Sequence, residues 1–105
     1  MRGDIYELRA DPHAKGHEQK GRRYAVVLQN DKMMMSTIIA APTSTSAREA
    51  SYRPEIKLNG QRGRVLIEQM KALDPEKRLG RKVGTLTFEE RLDVDRALKL
   101  VLGLF

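Results

Sequence analysis

The chain contains no cysteine. That absence excludes disulfides, thiolate zinc sites and cysteine nucleophiles together. Aromatic residues are scarce: at 5%, the rings are Tyr6, Tyr24, Tyr52, Phe88 and Phe105, a thin supply for filling a core. Long apolar runs are missing as well. The longest, residues 37–42 and 100–105, fall far short of the roughly 20 residues that span a bilayer. No basic start followed by an apolar stretch marks the chain for export, so a cytoplasmic location without membrane attachment is expected. A Walker-type loop, a dinucleotide fingerprint and a Gly-x-Ser-x-Gly elbow are all lacking, which sets aside the common cofactor enzymes. What remains is 105 residues, 40% hydrophobic and 32% charged, with a mean hydropathy of −0.54. One domain over residues 1–105 follows.

Charge is the abundant commodity. Twenty Lys and Arg against 14 Asp and Glu give +6. From Thr87 onward four acids face three bases, a local −1, so the preceding residues carry +7. Much of it sits in residues 9–23, with Arg9, Lys15, Lys20, Arg22 and Arg23 against Asp11 and Glu18, and in residues 61–64. Clustering of this kind favours a polyanionic partner.

Hydropathy patterning predicts short strands followed by one terminal helix. Residues 4–10 place Tyr6 and Leu8 on one strand face. Residues 11–22 hold Pro12, Gly16 and Gly21 among polar side chains and form a loop long enough to be functional. Continuous apolar runs at 24–29 and 37–42 read as central strands covered on both faces. Between them, Met33–Met35 suits a core edge or a dimer seam better than a cofactor. A Ser- and Thr-rich loop covers 43–53, strands follow at 54–58 and 63–68, and Asn59-Gly60 is the hairpin turn between them. A last strand at 83–86 leads to Thr87, which with Glu90 forms a capping box. Val94, Ala97, Leu98, Val101 and Leu102 make the helix's apolar stripe, with an expected Asp95–Lys99 ion pair on its flank. Without βαβ alternation, these elements imply a mainly β fold, a small twisted β-barrel with helices.

Two local motifs carry nothing. Arg2-Gly3-Asp4 begins a strand, and His13 and His17 lie in a Pro- and Gly-flanked loop without a third ligand, so no metal site is expected. The stretch that can carry chemistry is Gly16-His17-Glu18-Gln19-Lys20-Gly21-Arg22-Arg23 running into the buried strand Tyr24-Ala25-Val26-Val27-Leu28. It holds Arg23 at a strand start. The run Ile38–Ala41 ends in Pro42-Thr43-Ser44-Thr45-Ser46, and pairing of the two strands would let a fixed cation and a hydroxyl converge.

At these residues the chain resembles the MazF/PemK family of toxin endoribonucleases. Residues 2–6, 16–23, 39–45 and the segment Glu68-Gln69-Met70-Lys71-Ala72-Leu73-Asp74 match the family's pattern in order, and the likeness spans essentially the whole chain. Two departures stand out: Tyr24 occupies the place of the family's Pro, and Met70 that of a β-branched residue. The resemblance implies the Src-homology-3-like barrel of CcdB/MazF/PemK type with a C-terminal helix. It also implies sequence-specific cleavage of single-stranded RNA without metal or cofactor, by attack of the 2′-hydroxyl on the adjacent phosphorus. Arg23 matches the family's catalytic Arg and Thr43 its catalytic Thr. Arg23 is expected to clamp the phosphate, Thr43 to donate to the developing oxyanion, and Glu18 to act as base or positioning group, although Glu18 could equally pair with Lys20 or Arg22.

Lys15, Lys20, Arg22 and Arg48 are expected on RNA phosphates. Sequence choice would fall to the two loops, with His17, Gln19, Ser44, Thr45 and Ser46 at base edges and Tyr24 or Tyr52 stacking on bases. Gln69 is counted with the RNA-contacting residues, although bracing the core or the interface suits it better. The family further implies a homodimer with RNA across the subunit seam and an acidic antitoxin that covers the groove. A gyrase-poisoning toxin of the same fold and a non-catalytic RNA-binding module are the alternatives.

Overall fold

The structure, a computed structural model, describes residues 1–10, 23–33 and 35–104. Its elements run β1 (Asp4–Leu8), β2 (Arg23–Val27), β3 (Ile38–Ser44), β4 (Glu55–Leu58), β5 (Gln61–Val65), a 3-10 turn (Ile67–Gln69), β6 (Lys71–Leu73), α1 (Pro75–Arg78), β7 (Leu79–Thr85) and α2 (Phe88–Leu102). The strands pair antiparallel in the order β4-β5-β3-β2-β1-β7, with β6 also on β3. Strand β3 bends the sheet, because its first half pairs with β6 and its last two residues pair with β5. The result is a curled antiparallel half-barrel with a C-terminal helix, as the strand pattern implied.

The apolar runs become central strands with two covered faces. Val26, Leu28 and Ala41 join Ile5, Ile56, Val65, Ile67 and Leu86 inside the curl, where Val94 and Ala97 of α2 close the core. Alternate residues of the same strands, Ala25, Val27, Ile38 and Ala40, form a second cluster with Leu73 and Leu79, against which Tyr6 and Leu8 are packed. Period-two alternation thus gives one strand pair an interior face and an outer face. The far end of the outer face carries the basic hollow described below.

Local signals account for the joints. Asn59 (φ 52°) and Gly60 (φ 77°) both take the left-handed conformation, which the tight two-residue hairpin requires. The Thr87 hydroxyl accepts from the Glu90 amide at 3.1 Å, and a Glu90 carboxylate oxygen accepts from the Thr87 amide at 2.8 Å. The other Glu90 oxygen accepts from the Lys57 amide at 2.8 Å, tying helix to hairpin. Gly103 (φ 70°) ends the helix.

Several expectations need correcting. Asp95 does not pair with Lys99: its carboxylate takes the Arg2 guanidinium at 2.5 Å, because the N-terminus crosses beneath α2. Arg2-Gly3-Asp4 is built into the fold, with the Gly3 amide donating to the Val27 carbonyl. Leu102, expected in the apolar stripe, is 53% exposed. The last strand begins at Leu79 and not at residue 83. The strand expected at 63–68 runs Gln61–Val65 and gives way to the 3-10 turn Ile67–Gln69, while β6 and the single turn α1, capped where Asp74 accepts from the Glu76 amide at 3.0 Å, have no counterpart in the hydropathy pattern. Met33 and Met35 are exposed and fill no core edge.

Candidate nucleic-acid interface

Arg23 opens β2. Its partner strand β3 sets Pro42 opposite Ala25. Carried outward along both strands, this register brings Thr43 opposite Tyr24 and Ser44 opposite Arg23. Directly opposed residues of an antiparallel pair share a face, so the sheet sorts the candidates into two sets.

The set on the outer face surrounds a hollow of about 80 Å³ lined by Leu8, Arg23, Ala25, Ala40, Pro42, Gln69, Lys71, Leu73 and Arg78. Three cations and a carboxamide therefore ring an apolar floor, and no carboxylate lines it among the described residues. Arg23 is half-buried at its rim and has neither hydrogen-bond nor ion-pair partner among the described residues. Ser44 closes the outer end of β3 on the same face. Its hydroxyl oxygen accepts from the Ser46 and Ala47 amides at 3.2 and 3.1 Å. The Ser46 hydroxyl lies 3.5 Å away, within reach of the one proton that the Ser44 hydroxyl has to donate.

The other set faces the mouth of the curl. Tyr24, Thr43 and Thr45 share a smaller hollow of about 60 Å³ with Asn59, Gln61 and Arg62 at the hairpin end. Arg23 and Thr43, expected to converge, thus line different hollows on opposite faces. Thr45 and Ser46 are exposed, as is Arg48, whose carbonyl accepts from Arg53 at 3.2 Å. Tyr52 has the Arg53 guanidinium 5.4 Å from its ring centroid, and Arg53 in turn pairs with Glu68 at 2.7 Å. One face of the Tyr52 ring is therefore already covered by a cation. Gln69, read as either brace or contact, stands exposed in the Arg23 hollow. Lys15, His17, Glu18, Gln19, Lys20 and Arg22 lie outside the described residues.

Lys71, which the sequence offers only as part of the family-like segment, and Arg78 are not among the expected site residues. Lys71 sits opposite Ala40 in the β6–β3 pairing, which puts it on the outer face. Arg78 ends α1, where its Nε donates to the Arg9 carbonyl at 2.9 Å. The signal available was the basic stretch at Lys77, Arg78, Arg81 and Lys82, whose facing depends on long-range pairing.

A half-barrel that gathers an arginine, a lysine and a second arginine around one hollow defines a small basic protein with its positive charge concentrated on the outer face of the sheet. Comparison with known proteins narrows this class. The family of PemK-like, MazF-like toxins of type II toxin-antitoxin systems matches residues 1–102, and the chain belongs to it. The Mycobacterium tuberculosis protein Rv3098A, named as a toxin, is 36% identical over 104 residues, covering 99% of this chain and 98% of that one. The endoribonuclease MazF of Staphylococcus epidermidis is 32% identical over 111 residues, covering 98% and 91%. A solved MazE-MazF structure from Deinococcus radiodurans superposes with a TM-score of 0.77 at 26% identity, covering 99% and 96%. Among the described residues, no helix is long and apolar enough to cross a membrane.

Proposed function

We propose that this toxin is a sequence-specific endoribonuclease that cuts single-stranded RNA without a metal ion, and so inhibits translation and growth in the cytoplasm. The observation that carries the reading is the Arg23 hollow: an unengaged guanidinium among two further cations and a carboxamide, with no carboxylate lining it among the described residues. The 32% identical relative named as an endoribonuclease supports it.

In the proposed reaction the 2′-oxygen bonds to phosphorus while the bond to the 5′-oxygen breaks. Cyclic phosphate and 5′-hydroxyl ends result, the leaving 5′-oxygen taking a proton from solvent as the 2′-hydroxyl gives one up. Arg23 serves as a cation and not as a base, because an arginine side chain keeps its proton in proteins. Its planar fork fits two phosphate oxygens and offsets the charge that grows there. The strand-end hydroxyls supply the further donor. Thr43 is the residue the family pattern names, but face-sharing with Arg23 favours Ser44. Glu18 is the proposed base for the 2′-hydroxyl proton. Lys15, Lys20, Arg22 and Arg48 would bind flanking phosphates, and the Tyr24 hollow, with Thr45 and Asn59, offers a ring and polar edges to an unstacked base.

Two partners complete the reading. An acidic antitoxin suits the basic groove, and the D. radiodurans relative is solved as MazE-MazF. A second copy of the chain suits the groove of about 420 Å³ between α2 and the 28–39 segment, where Met33, Ile39, Leu102 and Leu104 are exposed. The double substitution Met33→Glu, Leu102→Glu is expected to turn a dimer into a monomer in light scattering after gel filtration. A variant that stays dimeric would place the seam elsewhere.

The test of function is incubation of purified protein with long end-labelled RNAs of unrelated sequence in excess EDTA. Discrete fragments with cyclic phosphate ends are expected. Intact RNA from every sequence, combined with inhibition of gyrase supercoiling, would replace this reading by the gyrase one.

A further inference from the structure

The Arg23 hollow holds more cation than one phosphate needs. Resting on the nuclease reading, we infer that Lys71 binds a second phosphate of the same RNA strand, next to the one that is cut, and that the outer face therefore grips the strand at two points.

The backbone register carries this. Ala25 pairs with Pro42 on one side of β3, and continuing that register two residues outward puts Arg23 level with Ser44, whereas Lys71 pairs with Ala40 on the other side of β3. Ser44 and Ala40 are four residues apart, roughly 13 Å along the strand at about 3.3 Å per residue, and the two flanking strands are separated by about twice the 4.8 Å strand spacing. Both side chains nevertheless line one hollow. Their origins are far enough apart for the two side chains to meet neighbouring phosphates of a flexible strand without converging on one.

Charge makes the same point. Lys71 is exposed and pairs with no carboxylate among the described residues. Ala40 and Leu73 give the hollow an apolar floor that lowers the local dielectric and strengthens an ion contact at its edge. Arg78 lines the hollow as well, but its Nε is engaged on the Arg9 carbonyl, so Lys71 is the cation that can move to meet a phosphate. As a compact ammonium on a flexible stem, it suits a positioning contact and not the planar clamp that Arg23 provides.

The test pairs a protein change with a change in the RNA. In a short RNA carrying one cleavage site, each linkage flanking that site is replaced in turn by an uncharged methylphosphonate. For the wild-type protein, one such replacement is expected to lower kcat/KM by about tenfold, the worth of a charge-assisted contact. Lys71→Met is expected to lose a similar factor on unmodified RNA and nothing further at that linkage, while responding normally at the others. Lys71→Arg, which keeps the charge, should recover most of the loss, and Lys71→Met should reduce the salt slope of binding by about 0.7. Wild-type rates for Lys71→Met, or the same response to every neutralised linkage in both proteins, would overturn the proposal. Should the wild-type protein cut no RNA, the nuclease reading fails by itself. Binding of the same modified strands, followed by anisotropy, then decides the phosphate contact with the same expected pattern.

Discussion

Replacing Arg23 with alanine is expected to lower RNA cleavage by about a thousandfold or more while leaving the fold intact. Removal of one donor aimed at a developing oxyanion commonly costs about 10²–10³ in rate, and a guanidinium presents two donors and a full charge to the same phosphate. Nothing in the described fold leans on this side chain: it is half-buried and has no hydrogen-bond or ion-pair partner among the described residues. A melting temperature within a few degrees of wild type, measured beside the cleavage rate, separates loss of chemistry from loss of structure. Arg23→Lys is expected to recover little, because a single ammonium cannot reproduce the planar fork. Cleavage within a fewfold of wild type in Arg23→Ala would remove the outer hollow from the chemistry.

The second large effect divides two adjacent hydroxyls. Ser44→Ala is expected to reduce kcat about a hundredfold, and Thr43→Ala by no more than a few fold, because only Ser44 shares a face with Arg23. Ser44 also accepts from the Ser46 and Ala47 amides, so its loss loosens that turn by about 1 kcal/mol. Ser44→Thr keeps the hydroxyl and should retain both turn and rate. The pair of variants therefore reads chemistry apart from local stability. The reverse order, with Thr43→Ala inactive and Ser44→Ala active, would move the reaction to the Tyr24 side of the sheet.

This division also shows what a sequence can and cannot reveal. Residues 24–29 and 38–41 are apolar almost without interruption, and that pattern alone announces strands covered on both faces. Asn59-Gly60 and the Thr87–Glu90 pair are local chemistry with one structural meaning, and each appears where expected. The run from Thr43 to Ser46 is different. Four consecutive hydroxyls offer no alternation, so which of them faces Arg23 depends on a register that a one-residue slip would invert.

Other misses share that physical cause. Strand β7 is an edge strand carrying Gly80, Arg81, Lys82 and Gly84, a composition that keeps edges from pairing further but erases the strand pattern. Strand β6 is three residues long and exists because β3 offers it partners. Asp95 had a suitable cation one helical turn away, yet the fold brings Arg2 to it from 93 positions earlier in the chain. Lys71 and Arg78 reach the Arg23 hollow by the same kind of long-range pairing. The family motif pointed to Arg23 through its own neighbours in sequence, and the cations around it could be found only once the sheet was closed.

The most direct measurement uses an RNA whose cleavage site has been mapped, resynthesised with a single 2′-deoxynucleotide on the 5′ side of the cut and incubated with the protein in EDTA. Complete resistance at that linkage, with cyclic phosphate ends on the unmodified strand, is the expected result. Continued cutting at the deoxy linkage would mean that water or another nucleophile attacks the phosphorus, contradicting an attack by the RNA's own hydroxyl within the Arg23 hollow.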